Sequence, residues 1–158
     1  GSLAKAIPSC GGFVAGARRL LHLLRHDAPP FIFSAALSPA DTSAAIVGVQ
    51  LIRDEGWRRI QVQAQSARIR LALQKHGLST GLSESPVIPV MFSSTEAALH
   101  ATHSAWVKGL AVNAVTYPAV PRTAARIRLC ITAAHDDDNL DALEKFFEHW
   151  VNEGSLQS

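Results

Sequence analysis

The spacing of apolar and polar positions in the second half of the chain changes repeatedly between the period of a strand and that of a helix. Apolar residues at every second position predict strands, and apolar residues three and four apart predict helices. The predicted strands are 87–92, 110–117 and 126–132, and the predicted helices are 94–108 and 137–151. This order is typical of a small α+β layer in which two helices cover one face of a sheet.

In the first half, the same reasoning predicts one short helix between two extended segments. Leucines at helical spacing predict a helix from Ala17 to His26, and Pro29 and Pro30 end it. The short apolar run 13–16 after a glycine pair predicts a buried strand, and the run 31–34 predicts a second short extended piece.

A long helical region follows. Ser38 before Pro39 is typical of an N-cap with proline in the first turn, and the helical composition continues to His76. Gly77 supplies a stop, and Gly56 divides the region or bends it, because glycine is costly inside a helix. Such a long helical connection often carries a chain from one domain into another, so we expect a boundary near residues 50–60.

Composition narrows the class of protein. A chain of 158 residues that is 47% hydrophobic and 18% charged has the length and core content of an ordinary folded domain. Its 15 basic and 13 acidic residues are scattered, which argues against a nucleic-acid partner.

The apolar runs are too short for a membrane span. With two cysteines and no signal peptide, the expected location is the cytoplasm. The spacing of His100 and His103 could put both on one helix face. With no cysteine nearby and Glu96 as the only carboxylate on that turn, a polar helix face is favoured over a metal site.

Lys5 is the first candidate for chemistry. It is flanked by small residues and precedes Gly11 and Gly12, so a compact turn could bring backbone amides close to an anion beside the amine. A lysine held in such a pocket loses its proton more easily and can form a Schiff base with a carbonyl. The structural alternative is a lysine at a strand entrance whose charged end reaches solvent.

Arg126 and Arg128 are the second candidate. The strand period places both guanidinium groups on one face and Ile127 and Leu129 on the other. Arginine is the side chain best suited to hold a carboxylate with two parallel hydrogen bonds. The alternative is an exposed sheet face in which one arginine pairs with an acid in 136–138, and spacing alone leaves both interpretations open.

Five ordered blocks of sequence resemble the α-oxoamine synthases, pyridoxal-phosphate enzymes that include 8-amino-7-oxononanoate synthase, 2-amino-3-ketobutyrate CoA ligase and serine palmitoyltransferase. The blocks, which span the chain, are GSLAKA at 1–6, GGFVAG at 11–16, FIFSAALSPA at 31–40, YPAVP at 117–121 and ARIRLCITAAH at 125–135. The resemblance implies a fold-type-I architecture of class α/β. Residues 1–52 would end the large cofactor-binding domain with its interdomain helix, and 53–158 would form the small C-terminal α+β domain.

The resemblance also implies roles for individual residues. Lys5 matches the Schiff-base lysine, which also transfers protons, and Ser2 matches a hydroxyl residue near the cofactor phosphate. Ser34 matches the hydroxyl residue that reaches the phosphate across a homodimer interface. Arg128 matches the arginine that holds the substrate carboxylate, and Arg126 supports the strand or pairs with an acid. The cofactor would be pyridoxal 5'-phosphate, and the substrates an amino acid and an acyl thioester carried by CoA or a carrier protein.

Three positions depart from the family pattern, and the expected upstream residues are not in this sequence. Ala4 replaces Ser or Gly, Thr123 stands where Gly is common, and Ala119 lacks a hydroxyl that some members use. The family's ring-stacking histidine and its aspartate at the pyridinium nitrogen precede the lysine, so we expect a C-terminal portion that is inactive alone. The alternatives are a fold-type-I aminotransferase and a non-catalytic fragment that acts through protein association.

Overall fold

The computed structural model describes residues 1–153, and the chain divides into two compact units between Gly56 and Trp57. The assignment of 1–52 and 53–158 to the two domains of a larger enzyme stays a prediction. No helix within the described residues is long and apolar enough to cross a membrane.

The first unit combines a small hairpin with three helices. Strands β1 (Ser2–Ala4) and β2 (Pro8–Gly12) pair antiparallel, with Ser2 opposite Gly12. They are followed by helices α1 (Arg18–Asp27), α2 (Pro29–Ile32) and α3 (Pro39–Asp54). The predicted cap is present, because the Ser38 hydroxyl accepts a hydrogen bond from the Asp41 N–H at 3.1 Å and Pro39 occupies the first turn.

Two predicted extended segments of this unit are wrong. The strand ends at Gly12, so 13–16 has no regular structure, and Pro29–Ile32 is a short helix where 31–34 was expected to be extended. The prolines account for the second error. Proline holds the preceding Ala28 in an extended conformation, which ends α1, but its fixed φ also suits the first turn of a new helix.

The second unit is built around a three-stranded antiparallel sheet. Its strands are β3 (Val87–Met91), β4 (Asn113–Val115) and β5 (Arg126–Cys130), in the spatial order β3-β5-β4. Its helices are α4 (Trp57–Lys75), α5 (Thr95–Val107) and α6 (Asp137–Asn152), and a 3₁₀ turn covers Arg122–Ala124. The predicted β-α-β-β-α order is confirmed. The position of β3 at the edge agrees with Pro89, which has no N–H for a second neighbour.

The core of the second unit lies on one face of this sheet. Inward side chains of β3 and β5 are fully or nearly fully buried, and they meet apolar side chains of all three helices. Helix α5 contributes four buried alanines, which allow its backbone to approach the sheet closely. The core residues of the sheet and of α6 are Ile88, Val90, Ile127, Leu129, Leu140, Leu143, Phe147 and Trp150.

The strand predicted over 110–117 is shorter than expected. Only Asn113–Val115 pairs with β5, although the apolar run extends over 110–117. Contacts with α5 hold the residues before Asn113, because the Leu110 N–H donates to the Ala105 carbonyl at 2.9 Å and the Trp106 indole donates to the Val112 carbonyl at 2.7 Å. The last strand likewise ends at Cys130, two residues before the predicted end at Thr132.

A charge cluster joins α4 to α6. The Arg68 guanidinium donates to Glu144 at 2.8 Å, to Asp137 at 3.0 Å and to Asp141. Hydrogen bonds to Glu144 and Asp141 raise the pKa of Arg68 above its ordinary value. About a third of the arginine side chain is exposed, so solvent screens the cluster, and apolar burial remains the main source of stability.

Phe147 should therefore be a main contributor to the stability of this unit. Its side chain is 1% exposed, so Phe147→Ala leaves a cavity and should lower the free energy of unfolding by about 3–5 kcal/mol. Phe146 is the matched control, because it is a half-buried phenylalanine on the same helix, and Phe146→Ala should cost clearly less. Urea titration of both variants measures the difference, and equal losses would contradict this account of the core.

Candidate active site

Lys5 lies in the bend between the strands of the first hairpin. The bend covers residues 5–7, and the Lys5 side chain is exposed. Within residues 1–153 its amine forms no hydrogen bond and no ion pair. An exposed primary amine without a carboxylate partner is available for reaction with a carbonyl compound, which is the chemistry that the sequence suggested.

Polar contacts attach this hairpin to α3. The Cys10 N–H donates to an Asp41 carboxylate oxygen at 3.3 Å, and the Ser9 hydroxyl donates to the Asp41 carbonyl at 2.8 Å. The other Asp41 carboxylate oxygen accepts from the Ser38 hydroxyl at 2.6 Å. The hydrogen bonds from Ser38 and Cys10 lower the pKa of Asp41, so the carboxylate stays ionised and keeps both contacts at neutral pH.

A glycine allows the backbone of α3 to approach the same hairpin. Gly48 is buried, and a Cβ atom at this position would lie 3.1 Å from the Ile7 Cγ2 atom and 3.3 Å from the Pro8 Cδ atom. Both contacts are tighter than ordinary van der Waals distances. The absence of a side chain at Gly48 therefore determines how closely the segment that carries Lys5 packs on the helix.

The two serines that the resemblance assigns to the cofactor phosphate are both exposed residues of the first unit. The Ser2 oxygen accepts a hydrogen bond from the Ala4 N–H at 3.2 Å, which leaves its own proton available for an anion. The Ser34 hydroxyl donates to the Pro30 carbonyl in its own turn, so it must rotate before it can donate to a phosphate. Ser2 is on the Lys5 hairpin, and Ser34 follows α2.

Arg126 and Arg128 lie on the solvent face of β5, where the strand period placed them. Ile127 is 0% and Leu129 3% exposed, whereas Arg128 is exposed and Arg126 half-buried. The Arg126 Nε donates to the Ala124 carbonyl at 2.9 Å. Neither guanidinium pairs with an acid among residues 1–153, and Asp137 is instead bound to Arg68. The arginine–aspartate pair of the alternative interpretation is therefore not formed by these residues.

The predicted site residues are divided between the units: Ser2, Lys5 and Ser34 are in the first, and Arg126 and Arg128 are in the second. Sequence reasoning missed Asp41 and Gly48, which position the lysine hairpin. A local signal for Asp41 existed, because Ser38 and Asp41 have the spacing of a helix-capping motif. Gly48 had no such signal, since its role depends on a tertiary contact.

Known proteins match this chain along nearly its whole length. The sequence model of the family "Aminotransferase class I and II" matches residues 1–146. The 8-amino-7-oxononanoate synthase of Thermosipho melanesiensis is 36% identical over 147 residues, which are 92% of this chain and 38% of that protein. The enzyme of the same name from Stutzerimonas stutzeri is 37% identical over 152 residues, or 96% of this chain and 39% of that protein.

Solved structures show the same fold. Sphingomonas wittichii serine palmitoyltransferase aligns with a TM-score of 0.87 at 23% identity, over 98% of this chain and 39% of that one. An SPT structure with PLP as its internal aldimine aligns with a TM-score of 0.88 at 22% identity, over 98% of this chain and 39% of that one. The predicted fold-type-I α/β class is thereby confirmed. The chain spans about two fifths of the length of these relatives.

Gly48→Leu should displace the lysine hairpin from α3, because a long side chain cannot fit where even a Cβ atom lies 3.1 Å from Ile7. We expect amide hydrogen exchange in residues 2–12 to accelerate about tenfold or more, as expected for local opening. Gly48→Ala should show a smaller change, since its methyl group requires Ile7 and Pro8 to move by only a few tenths of an ångström.

Val49→Leu is the matched control for that measurement, because the neighbouring Val49 is 55% exposed on the same helix. Its exchange pattern should equal that of the unsubstituted chain. Unchanged exchange in Gly48→Leu would mean that the close approach does not position the hairpin.

Proposed function

We propose that this chain, which belongs to the class I and II aminotransferase family, supplies the reactive lysine and the carboxylate-binding arginine of a pyridoxal-phosphate-dependent acyltransferase. Within that family its relatives are α-oxoamine synthases, as the five sequence blocks predicted. The proposed reaction is a decarboxylative condensation of an amino acid with an acyl thioester. The observation that carries the proposal is the exposed Lys5 amine, which has no partner among residues 1–153 and lies inside a sequence block of this family.

The described residues fit the proposed cofactor, pyridoxal phosphate. Its aldehyde requires a primary amine, which Lys5 offers without a competing ion pair within residues 1–153. Its phosphate requires hydrogen-bond donors, which the hydroxyls of Ser2 and Ser34 can supply. When bound, the cofactor ring acts as an electron sink that stabilises a carbanion at the α-carbon of the amino acid.

Lys5 would have two roles in this reaction. Its Nζ atom would hold the aldehyde carbon covalently before the amino acid binds. Once released by the amino acid, the neutral amine would accept the proton that leaves the α-carbon. The Asp41 and Gly48 contacts would keep the amine in position for both roles, because they hold its hairpin against α3.

Arg128 would bind the carboxylate of the amino acid. Its guanidinium has no acidic partner within residues 1–153, so it can form two parallel hydrogen bonds with a carboxylate. Arg126 is less suited to this role, because its Nε is already bound to the Ala124 carbonyl. We therefore assign strand support to Arg126, in agreement with the resemblance.

The complete protein would be a homodimer in which Ser34 of one subunit reaches the phosphate held by the other. Exposed apolar residues of the first unit support association, because folded proteins rarely leave such surfaces open. Phe33, next to Ser34, is 87% exposed, and Val14 and Phe31 are more than 60% exposed.

We also propose the cytoplasm as the location, with Cys10 and Cys130 as free and exposed thiols.

Two other functions remain candidates. The family includes aminotransferases by name, so amino transfer to an oxo acid is the second reaction to test. The apolar surface of the first unit also suits a fragment that acts only through association. Assaying the complete protein for thioester-dependent release of carbon dioxide, against amino transfer, separates the two reactions. Activity in neither assay supports the non-catalytic candidate.

Borohydride reduction tests Lys5. After incubation with pyridoxal phosphate, reduction should fix the cofactor on Lys5, and peptide mapping should locate it there. In the complete protein, Lys5→Ala should abolish turnover without unfolding, because the lysine side chain is exposed. Lys108→Ala, which removes another exposed lysine, is the control and should keep both the adduct and turnover. An adduct elsewhere, or normal turnover in Lys5→Ala, would refute the assignment.

Arg128→Ala tests the carboxylate site. Arg128 is exposed in this chain, but the proposed site would enclose its charge pair in the complete enzyme. The variant should then lose about 2–5 kcal/mol of amino-acid binding free energy, the usual cost of removing one partner of a buried charge pair. Arg126→Ala is the matched control, since it removes a second guanidinium from the same face and should change affinity much less. The dissociation constant of the amino acid measures both effects. A larger loss in Arg126→Ala would reverse the two roles.

A further inference from the structure

Asn113 is the polar side chain placed directly beside Arg128 by the pairing of the strands. In the antiparallel β4–β5 ladder, Asn113 and Arg128 are Cα partners. Directly opposite residues share one face of a sheet, with Cβ atoms about 5 Å apart. Both residues are exposed, whereas the neighbouring pair Ala114 and Ile127 lies on the covered face.

The outward positions of the three paired strands carry positive charge and no acid. On the other side Arg128 faces Pro89 of β3, which has no polar side-chain group. The remaining outward positions of the paired strands are Val87, Met91, Val115, Arg126 and Cys130. This face of the sheet therefore carries two guanidinium groups, no carboxylate, and one neutral amide.

The chemistry of that amide complements the arginine. An asparagine side chain has one carbonyl acceptor and two N–H donors. Its carbonyl can accept from the Arg128 guanidinium and hold it in one orientation, while its NH₂ donates to an anion that Arg128 binds. An aspartate in the same place would do the opposite, because it would neutralise the guanidinium and repel the anion.

We propose that Asn113 and Arg128 together form the carboxylate subsite, with Asn113 selecting ligands that carry a carboxylate over amines that lack one. The proposal rests on the proposed function, because it takes the ligand of Arg128 to be the amino-acid substrate. It adds a second donor and a reason for the orientation of the arginine, and neither follows from Arg128 alone.

The test compares Asn113→Ala and Asn113→Asp in the complete protein with its cofactor. L-alanine and L-serine are the carboxylate probes, and ethylamine and ethanolamine are the matched amines without a carboxylate. Calorimetry should show about a fivefold to tenfold weaker binding of the amino acids in Asn113→Ala, the size of one lost hydrogen bond. Asn113→Asp should weaken it at least thirtyfold, and the affinity for the amines should not fall in either variant.

Asn152→Asp is the control, because it makes the same change at another exposed asparagine, at the end of α6. It should leave all four affinities unchanged. Amino-acid binding in Asn113→Asp that equals binding in this control would overturn the proposal, as would equal losses for amino acids and amines.

Arg128→Ala distinguishes failure of the role proposed for Asn113 from failure of the proposed function. If this variant loses amino-acid binding while Asn113→Asp does not, only the role of Asn113 is wrong. If the unsubstituted protein binds neither amino acid, the proposed function fails and the role of Asn113 fails with it.

Discussion

One-sided burial of the three-stranded sheet is the constraint on which the second unit depends. β5 is the central strand, and its inward residues Ile127 and Leu129 lie in the core with Ile88 and Val90 of β3. Because strand side chains alternate, burial of Ile127 and Leu129 requires Arg126 and Arg128 to face outward. A slip of one residue would bury two guanidinium groups without partners, at a cost of several kcal/mol for each charge. The hydrophobic core and the position of the arginines are thus two results of one pattern.

The lysine is held by a different kind of interaction. In the first unit only Leu3 and Gly48 are buried, so no large apolar core positions the hairpin. Hydrogen bonds to Asp41 and close contacts across Gly48 hold it instead. Contacts of this kind depend on single atoms, whereas the outward orientation of the arginines depends on a whole layer of apolar side chains. We therefore expect the orientation of Lys5 to be more sensitive to single substitutions than that of Arg128.

The same contrast explains what the sequence could predict. The alternation in β5, the Ser38 cap and the stop at Gly77 are local signals, and the structure contains all three. The extended segments expected at 13–16 and 31–34 were wrong because short apolar runs do not distinguish strand from helix or coil. The contact of Gly48 with Ile7 joins residues about forty positions apart, so no local pattern could reveal it. Lys5 was recognised mainly through the family resemblance, since one lysine carries little physical signal.

Strand register is a stronger guide to binding residues here than residue type alone. Asn113 has no distinguishing sequence context, and only the pairing of β4 with β5 places it beside Arg128. The shortness of β4 contributes to the position of Asn113. Helix α5 holds Leu110 and Val112, so pairing with β5 begins at Asn113. The residue opposite Arg128 is thus set by the point at which the chain stops contacting α5 and begins to pair with β5. A change at Trp106 that released Val112 would be expected to alter the proposed carboxylate subsite without touching either residue in it.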